Sequence, residues 1–484
     1  MKKSIVIVGA GLGGLTAAAL LSKSGHQVTV LEKNAWIGGK SRRIEVSGQR
    51  IDTGPSLVTF PGVLEELFNR YNKLGKSTSA TIADLKLQKL PEVGTYYFGK
   101  ETVNLPVQEG HPWYPAWNRF VKEHGDLGPA ITKLLTTDPL SPKTLPAVTA
   151  ISKNYGIHLS TSSYLKHLDW MPEGLKEVIA IHTLNAGISP ERTLALYATM
   201  PAVMAKEGIF VPEGGVYEIA LALEKLAVDA GSTIRTNVKV TKISKGSVIA
   251  DGEELKADYV IGAADAQVID SLLGKKPKQP KLVSCSGVAL FAVLKKPLPE
   301  GTVTHSVIMP GSPSSLHAAL DKTAVPQETM AFLNYYKPNH IYPNDKATAA
   351  ILLTAPANGE RFTLESEFVQ RELARISSLI GLKENLGDLI MDYQILDPMY
   401  FAEFGAQGGS LYGATRLIWQ GGPFHTPGYT SLFRPWLWRV GASVHPGGGI
   451  PAVIGGAMNA VSRLLKAEGT DPNVEDLLYF PSSN

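Results

Sequence analysis

The sequence has a single cysteine, Cys285, among its 484 residues. An intrachain disulfide is therefore impossible, which fits a reducing compartment, and a cysteine-rich zinc or iron–sulfur site is excluded, so that no metal is expected. Strong charge is lacking as well, because 47 Lys and Arg against 44 Asp and Glu leave a net charge of only +3. With no long basic run, this balance argues against a nucleic-acid partner.

Long hydrophobic runs are also missing. No stretch reaches the roughly 18–20 uninterrupted apolar residues of a membrane-spanning helix. The chain opens Met1-Lys2-Lys3 and stays apolar as far as Leu21, as a signal peptide does. Four glycines interrupt this run, however, and no small-residue cleavage site follows it. We therefore expect a globular cytoplasmic protein whose only meeting with a membrane is at the surface.

The N-terminal segment predicts a βαβ unit. Ser4 to Val8 is a short apolar strand of the kind that is buried on both faces of a parallel sheet. Leu15 to Ser24 is rich in Ala and Leu, which favours a helix, and Gly25 is well placed to end it. Gln27 to Leu31 then predicts a second strand. The unit is of the kind that opens dinucleotide-binding domains.

A glycine motif links the first strand to the helix. Gly9, Gly11 and Gly14 satisfy the pattern G-x-G-x-x-G. In this pattern the first glycine permits a tight turn, the second lets a pyrophosphate approach the backbone, and the third lets helix and strand pack closely. Glu32 ends the second strand, 18 residues beyond Gly14, where a carboxylate accepts hydrogen bonds from a ribose hydroxyl and disfavours a 2′-phosphate.

A second glycine pair favours FAD over NAD. Gly38 and Gly39 lie soon after the second strand, and a D-T-G-P segment containing Gly54 and Pro55 follows. A second passage of the chain near the pyrophosphate is typical of FAD flavoproteins, and Lys40 or Arg42 adds a candidate cation. A surface turn and a solvated basic face remain the alternative explanations.

The C-terminal region has a third glycine-rich motif. His445-Pro446 precedes three glycines, and a helical pattern follows that contains Gly455 and Gly456. A glycine inside a helix costs about 1 kcal/mol relative to alanine, so close packing against a sheet or a cofactor is the expected reason. A helix N-terminus directed at a flavin also stabilises negative charge on the reduced ring. A loop leading into a core helix is the alternative.

Other segments complete the predicted organisation. Residues 85–204 are rich in proline and scattered aromatics and indicate a largely helical insertion. The pair Asp251-Gly252 between two strand-like runs indicates a hairpin. Further elements are expected at 216–231 (helix), 233–243 (strand), 259–262 (strand), 285–294 (strand) and 362–380 (amphipathic helix).

Together these segments resemble the bacterial-type phytoene desaturases. The resemblance rests on residues 6–59, 208–215 and 440–455, supported by the D-x-G-P segment and by an Ala263-Ala264-Asp265-Ala266 turn in place of N-A-D-A. It runs nearly end to end and is weakest between Leu85 and Ala180. Lys40 in place of the usual arginine, together with the His-Pro-Gly-Gly-Gly run, is closer to the hydroxy- or methoxyneurosporene dehydrogenase branch.

The resemblance implies an α/β fold. Its Rossmann-like FAD-binding domain, of the glutathione-reductase or amine-oxidase type, would comprise residues 1–84, 205–280 and 430–484. A mixed sheet-and-helix substrate domain facing the membrane would comprise residues 85–204 and 281–429. The implied FAD contacts are Gly9, Gly11, Gly14, Glu32, Gly39, Lys40, Gly54, Pro55, Val238, Gly441, Gly449, Ile450 and Pro451, to which Arg42 is added as a second candidate cation.

The resemblance further implies dehydrogenation of C–C single bonds in an acyclic carotenoid, by hydride transfer to the flavin, at a membrane surface. Oxygen or a quinone would accept the electrons, and no catalytic side chain is assigned. Residues 113–122 and 417–438 are aromatic stretches for contact with lipid, although core packing explains them as well. An amine-oxidising flavoenzyme, a carotenoid isomerase that uses reduced FAD, and a non-enzymatic prenyl-chain escort remain the alternatives.

Overall fold

The structure, a computed structural model, describes residues 2–75, 79–99, 101–276, 280–415 and 428–469. Within these residues the chain forms nineteen strands: β1 (Ser4–Val8), β2 (Gln27–Leu31), β3 (Arg42–Val46), β4 (Gln49–Thr53), β5 (Leu87–Lys89), β6 (Gly94–Phe98), β7 (Glu101–Leu105), β8 (Phe210–Pro212), β9 (Thr233–Arg235), β10 (Val240–Ser244), β11 (Ser247–Ala250), β12 (Glu253–Lys256), β13 (Tyr259–Gly262), β14 (Ser286–Leu294), β15 (His305–Ile308), β16 (Ala331–Tyr336), β17 (Thr348–Ala355), β18 (Ile390–Leu396) and β19 (Leu437–Arg439). The same described residues form fourteen α-helices: α1 (Leu12–Lys23), α2 (Gly62–Lys73), α3 (Tyr114–His124), α4 (Gly128–Thr136), α5 (Leu145–Ser152), α6 (Thr161–His167), α7 (Glu173–Ala180), α8 (Met200–Glu207), α9 (Glu218–Asp229), α10 (Ala266–Leu272), α11 (Pro313–Asp321), α12 (Glu367–Leu379), α13 (Pro398–Ala402) and α14 (Ile450–Ala467).

A parallel sheet of five strands carries the N-terminal unit. Its order is β19-β13-β1-β2-β9. The central strand β1 is buried from Ile5 to Val8, as expected for an apolar strand that is covered on both faces. Helix α1 connects β1 to the parallel neighbour β2, so the predicted βαβ unit is confirmed. The sheet draws its strands from residues 4–31, 233–262 and 437–439, three stretches that lie far apart in the sequence.

Helix α1 ends where the sequence predicts. Gly25 has a φ of +91°. Its N–H donates to the carbonyl oxygen of Ser22 at 2.9 Å, and the N–H of His26 donates to that of Leu21 at 3.2 Å, which is a Schellman arrangement. The helix begins at Leu12, three residues before the predicted start, because Gly13 and Gly14 belong to its first turn.

A mixed sheet of seven strands forms the second centre of the fold, with the order β18-β14-β17-β16-β15-β6-β7. All its pairs are antiparallel except β15 with β6. The long strand β14 is buried throughout, and its residues alternate between two clusters. Leu290 faces the cluster that includes α12, whereas Phe291 packs with Ile44 and Ile51 of the β3–β4 hairpin. The hairpin therefore joins the second sheet to the segment that follows β2.

The prediction for residues 85–204 is wrong in its first part. Helices fill this stretch from Tyr114 onward, but residues 87–105 form three strands, of which β6 and β7 extend the second sheet. The β-branched and aromatic residues Thr95, Tyr96, Thr102 and Val103 favour this outcome. The insertion is thus anchored to the sheet before its helices begin.

Two predicted element boundaries also differ. Residues 233–243 form two strands in different sheets, because Asn237 adopts a φ of +56° and donates its N–H to the carbonyl oxygen of Asn34. The helix expected from Phe362 begins at Glu367, since the Phe362 N–H donates to a carboxylate oxygen of Asp397 at 2.9 Å and holds the preceding residues outside the helix.

The described residues contain no helix that combines the length and the hydropathy required to span a bilayer. In the first aromatic stretch, Trp117 and Phe120 are buried in the core, so packing explains them. In the second, Trp438 is buried whereas Phe433 is exposed, and residues 417–427 lie outside the described part of the chain, so its contact with lipid stays a prediction.

Candidate functional site

The three motif glycines each have a distinct structural role. Gly9 has a φ of +107°, which L-residues rarely adopt, so the tight turn requires glycine. A Cβ atom added to Gly14 would lie 2.2 Å from the carbonyl oxygen of Gly9, which explains the close packing of helix on strand. A Cβ atom added to Gly11 would meet no atom of the described residues within 4 Å, its chain neighbours apart. The space beside Gly11 is therefore open to a ligand.

The N-terminus of α1 faces this open space. Its N-cap is Gly11, no side chain caps it among the described residues, and its first turn has no acidic residue. The first N–H groups of a helix have no partner within the helix, and its dipole places partial positive charge there. This arrangement suits the phosphates of a dinucleotide.

Glu32 lies at the carboxyl end of β2, beside the glycine turn. One carboxylate oxygen accepts the Ala10 N–H at 2.8 Å, and the other accepts the backbone and side-chain N–H groups of Asn34 at 2.9 and 2.8 Å. An ionised carboxylate offers about four acceptor positions, so Glu32 retains capacity for a hydroxyl group. Val238 donates its N–H to the Glu32 carbonyl at 2.9 Å, which places the backbone of Val238 at the same edge.

The second glycine pair packs against the first. The Gly38 N–H donates to the carbonyl oxygen of Ala10 at 2.8 Å. A Cβ atom on Gly39 would lie 3.2 Å from the Cα atom of Gly11, and one on Gly54 would lie 2.5 Å from the carbonyl oxygen of Lys40. Pro55 follows, half-buried. The segment thus passes beside the open space next to Gly11, as a second approach to a diphosphate requires.

The two candidate cations make contacts within the chain. The ammonium of Lys40 donates to the carbonyl oxygen of Leu411 at 2.6 Å. Burial lowers the pKa of Lys40 to about 8, and nearby Asp265 opposes this shift. The guanidinium of Arg42 lies 3.9 Å from the ring centre of Trp36 and donates to the Tyr400 hydroxyl at 3.3 Å. Contact of either cation with a diphosphate stays a prediction.

The C-terminal motif brings a second helix N-terminus to the site. Gly449, the N-cap of α14, has a φ of +94°, and a Cβ atom on it would meet no atom within 4 Å. Ile450 and Pro451 form the first turn. A Cβ atom on Gly13 would lie 3.0 Å from the backbone nitrogen of Gly441 and 3.2 Å from a methyl carbon of Val453. The first turns of α1 and α14 are therefore in contact.

The glycines inside α14 are explained by close packing. A Cβ atom on Gly455 would lie 2.4 Å from the carbonyl oxygen of Leu135, and one on Gly456 would lie 2.5 Å from that of His445. The expected close packing of these glycines is observed, but their partners are helix α4 of the insertion and the motif loop rather than a sheet or a cofactor.

Two tyrosines beside this motif were not among the predicted site residues. A Cβ atom on Gly448 would lie 2.4 Å from the Tyr412 ring. Burial raises the pKa of both Tyr412 and Tyr197, and the two side chains interact electrostatically. Both nevertheless keep accessible surface. The Gly409-Ser410-Leu411-Tyr412-Gly413 segment also resembles the phytoene desaturases in sequence, whereas no sequence signal distinguishes Tyr197.

This geometry fits FAD, because two helix N-termini with glycine caps, an acid at the end of β2 and a second glycine pair surround the open space. The flavin containing amine oxidoreductase model matches residues 12–405. The chain belongs to this family. It is an FAD-dependent oxidoreductase, which confirms the cofactor and the α/β fold expected from the sequence.

Two phytoene desaturases align with nearly the whole length of this chain. A phytoene desaturase of Fusarium fujikuroi is 26% identical, with coverage of 98% of this chain and 91% of that protein. A zeta-carotene-forming phytoene desaturase of Myxococcus xanthus is 25% identical, with coverage of 96% and 94%. Among solved structures, putrescine oxidase bound to putrescine has a TM-score of 0.62 at 17% identity, covering 97% of this chain and 99% of that one, which shows the shared fold.

Proposed function

We propose that the protein is an FAD-dependent carotenoid desaturase that dehydrogenates C–C single bonds of an acyclic carotenoid. The observation that carries this proposal is the alignment with two phytoene desaturases along nearly the full length of all three chains. Phytoene, neurosporene and the hydroxy or methoxy derivatives of neurosporene are the proposed substrates. The replacement of the usual arginine by Lys40 favours the last group.

The proposed cofactor contacts follow from the geometry. Gly9, Gly11 and Gly14 would hold the diphosphate at α1, Glu32 the adenosine ribose, and Val238 the adenine through its backbone. The α14 motif would hold the flavin. The proposed contacts on the remaining segments are Gly39, Lys40, Arg42, Gly54, Pro55, Gly441, Gly449, Ile450 and Pro451.

Bound FAD supplies a two-electron acceptor, and the chain supplies orientation and exclusion of water. Tyr412 packs against Gly448 of the motif that precedes α14, and Tyr197 interacts with Tyr412. We propose that these two side chains help to align a substrate. Burial keeps both phenols neutral, which leaves them as hydrogen-bond donors. The positive end of the α14 dipole favours negative charge at the proposed flavin position.

The domain division is proposed as the sequence suggests it. Residues 1–84, 205–280 and 430–484 would form the FAD-binding domain, and residues 85–204 and 281–429 the substrate domain. The composition of the two large sheets supports this division, since the parallel sheet takes its strands from the first set and the mixed sheet from the second. Of the last segment, residues 470–484 lie outside the described part of the chain.

A carotenoid substrate is dissolved in lipid, so we also propose peripheral association with a membrane from the cytoplasmic side, with oxygen or a quinone as the electron acceptor. Anaerobic incubation of the reduced holoprotein with a water-soluble quinone, compared with air, separates the two acceptors. Whichever acceptor returns the flavin absorbance faster is the preferred one.

Amine oxidation is the second candidate, because the family model and the structural neighbour both bear that name. An isomerase that uses reduced FAD is a third. The test is incubation of the holoprotein in liposomes with phytoene, neurosporene, its hydroxy and methoxy derivatives, and separately with putrescine. We expect a red shift of the product spectrum with at least one carotenoid and no hydrogen peroxide from putrescine. Peroxide from the amine without any red shift reverses the assignment, and a geometric isomer of unchanged mass identifies an isomerase.

A further inference from the structure

We propose that residues 139–168 form a lipid-docking surface, the docking segment, that binds an anionic bilayer. The inference rests on the proposed function in one respect, namely that the substrate is dissolved in a membrane. The inference goes beyond the proposed function, because it names the residues that contact the membrane and the charge of the lipid. The docking segment differs from both aromatic stretches that the sequence suggested for this role.

The docking segment exposes large aliphatic side chains. Leu140 and Leu145 are 61% and 60% exposed, and Ile157 and Leu159 are 91% and 67% exposed. These are four of the eleven large hydrophobic residues that the described part of the chain exposes, and all four lie within twenty positions. Isolated exposed aliphatic residues are normal on soluble proteins, whereas a local group of them marks an interaction surface.

The charge of the docking segment is of one sign. It contains Lys143, Lys153 and Lys166 and no Asp or Glu, which gives a formal charge of +3. That equals the net charge of the whole chain, 47 − 44 = +3, so the other 454 residues are balanced. Lys153 and Lys166 are exposed. Exposed aliphatic residues among lysines are the combination that anionic lipid surfaces attract.

The two aliphatic pairs are held apart by a helix. Leu145 begins α5, and Ile157 and Leu159 follow its end. Eight residues of α-helix are about 12 Å long. Lys153 lies between the pairs, just after the end of the helix. This spacing along the chain offers two separate insertion points, which suits fluid lipid tails better than the close packing of a protein partner.

Buried contacts fix the docking segment to the protein. Tyr164, within the segment, donates or accepts a hydrogen bond with the His124 ring at 2.7 Å in a fully buried position. At the other end, Asp138 accepts from Arg463 of α14 at 2.6 Å, and Asn459 of the same helix donates to the Thr137 carbonyl at 3.2 Å. Asp138, at one edge of the segment, is thus paired with an arginine, and the segment is attached to the helix that begins at Gly449. Asp169, at the other edge, is exposed.

A second exposed pair lies outside the docking segment, within the aromatic stretch 417–438 that the sequence suggested for contact with lipid. Leu432 and Phe433 are 97% and 95% exposed. They follow Tyr429, whose buried ring lies 5.5 Å from the Arg463 guanidinium. The exposed pair thus follows a residue that contacts α14, the helix that also holds Asp138.

The experiment is flotation of the holoprotein with two kinds of vesicle, pure phosphatidylcholine and an equal mixture of phosphatidylcholine and phosphatidylglycerol. We expect binding to the anionic vesicles that weakens as salt is raised. The double variant Ile157→Ser/Leu159→Ser and the charge variant Lys153→Glu/Lys166→Glu should each bind about ten-fold less. The matched control is Val228→Ser/Met391→Ser, which changes exposed apolar residues elsewhere and should bind like the wild type.

Retained flavin absorbance and an unchanged melting temperature establish that each variant is folded. The proposal is overturned if the wild type does not float, if both vesicles bind it equally, or if the docking-segment variants bind as the control does. If these variants float like the wild type but change the protein from a dimer to a monomer, the surface is assigned to a second copy of the chain. That outcome also overturns the proposal. Desaturation assayed in detergent micelles is a separate measurement: its failure rejects the proposed function and leaves the flotation result standing.

Discussion

A Cβ atom on Gly14 would lie 2.2 Å from the carbonyl oxygen of Gly9, whereas a Cβ atom on Gly11 would meet nothing within 4 Å in the part of the chain that the structure describes. The two motif glycines therefore serve different purposes. Gly14 is required by the fold, and Gly11 keeps a space clear. Gly11 also has extended backbone angles, φ −67° and ψ 170°, which tolerate any residue.

This difference predicts opposite behaviour for two substitutions. Gly14→Ala should destabilise the apoprotein by about 1–3 kcal/mol, because backbone atoms must move to admit the methyl group. Gly11→Val should leave the apoprotein within about 0.5 kcal/mol of the wild type, since the side chain enters open space. Gly11→Val should nevertheless lose FAD. Urea unfolding of the apoprotein and flavin content after purification measure the two effects.

Each substitution is the control for the other. A Gly11→Val protein that purifies with full flavin shows that the assigned diphosphate position is wrong. A Gly11→Val apoprotein as unstable as Gly14→Ala would mean that the space is closed in the folded state and that lost flavin reports only on lost structure.

The parts of the fold that the sequence predicts are those that a few neighbouring residues determine. Asp251 and Gly252 have φ values of +47° and +83°, the pair of left-handed conformations that a two-residue hairpin needs. Gly25 ends α1 for the same local reason. Chemical type and spacing along the chain were sufficient in both cases.

Contacts between distant segments were not predictable in this way. Lys40 resembles a phosphate-binding cation in sequence, yet its ammonium donates to a carbonyl oxygen 371 positions away. Residues 233–243 alternate like one strand, and only the neighbouring turn at Asn34 shows why Asn237 divides them. Tyr197 is placed beside Tyr412 by the packing of the helical insertion, for which the local sequence contains no signal.

Lys40 gives the apoprotein a predicted rise in stability at alkaline pH. Its pKa is lowered from 10.5 to about 8 in the folded protein, so the unfolded chain holds this proton more tightly. The free energy of unfolding is therefore highest, as far as Lys40 is concerned, above pH 10.5, and this contribution is lost as the pH falls through 8. At about 1.4 kcal/mol for each pKa unit, the burial of the charged form costs up to about 3 kcal/mol at pH 7.

The test is urea unfolding of apoprotein between pH 7 and pH 10. Lys40→Met should be more stable than the wild type at pH 7 and should lack the alkaline rise. The matched control is Lys242→Met, because Lys242 is exposed. Parallel pH profiles for wild type and Lys40→Met would show that the ammonium is solvated and that its contact with Leu411 is not maintained in solution.

His124 predicts a loss of stability in acid. The ring is buried between the hydroxyl groups of Tyr164 at 2.7 Å and Thr199 at 3.0 Å, and burial lowers its pKa to about 4. The unfolded chain binds the proton near pH 6.5, so stability present above that pH is lost as the pH falls towards 4. The loss amounts to up to about 3 kcal/mol.

His124→Gln has no titrating group and should lose less stability than the wild type between pH 7 and pH 4.5 in urea unfolding. His182 and His305 are also buried, with pKa values lowered to about 3 and about 4, and they titrate equally in both proteins. The difference between wild type and variant therefore isolates His124. An identical acid response in the two proteins would show that water reaches the ring.

Glu32 provides a test of the proposed adenosine end of the site. Its carboxylate is buried and accepts three N–H groups, which keeps it fixed next to the glycine turn. Hydrogen bonds to charged groups contribute about 1.5–3 kcal/mol, so Glu32→Gln should weaken FAD binding about 10- to 100-fold. Binding of FMN, which lacks the adenosine ribose, should not change. Fluorescence titration of the apoprotein measures both affinities, and Glu45→Gln, at an exposed position of β3, is the matched control. An equal loss of FAD and FMN affinity would show that Glu32 acts through the glycine turn and not through the ribose.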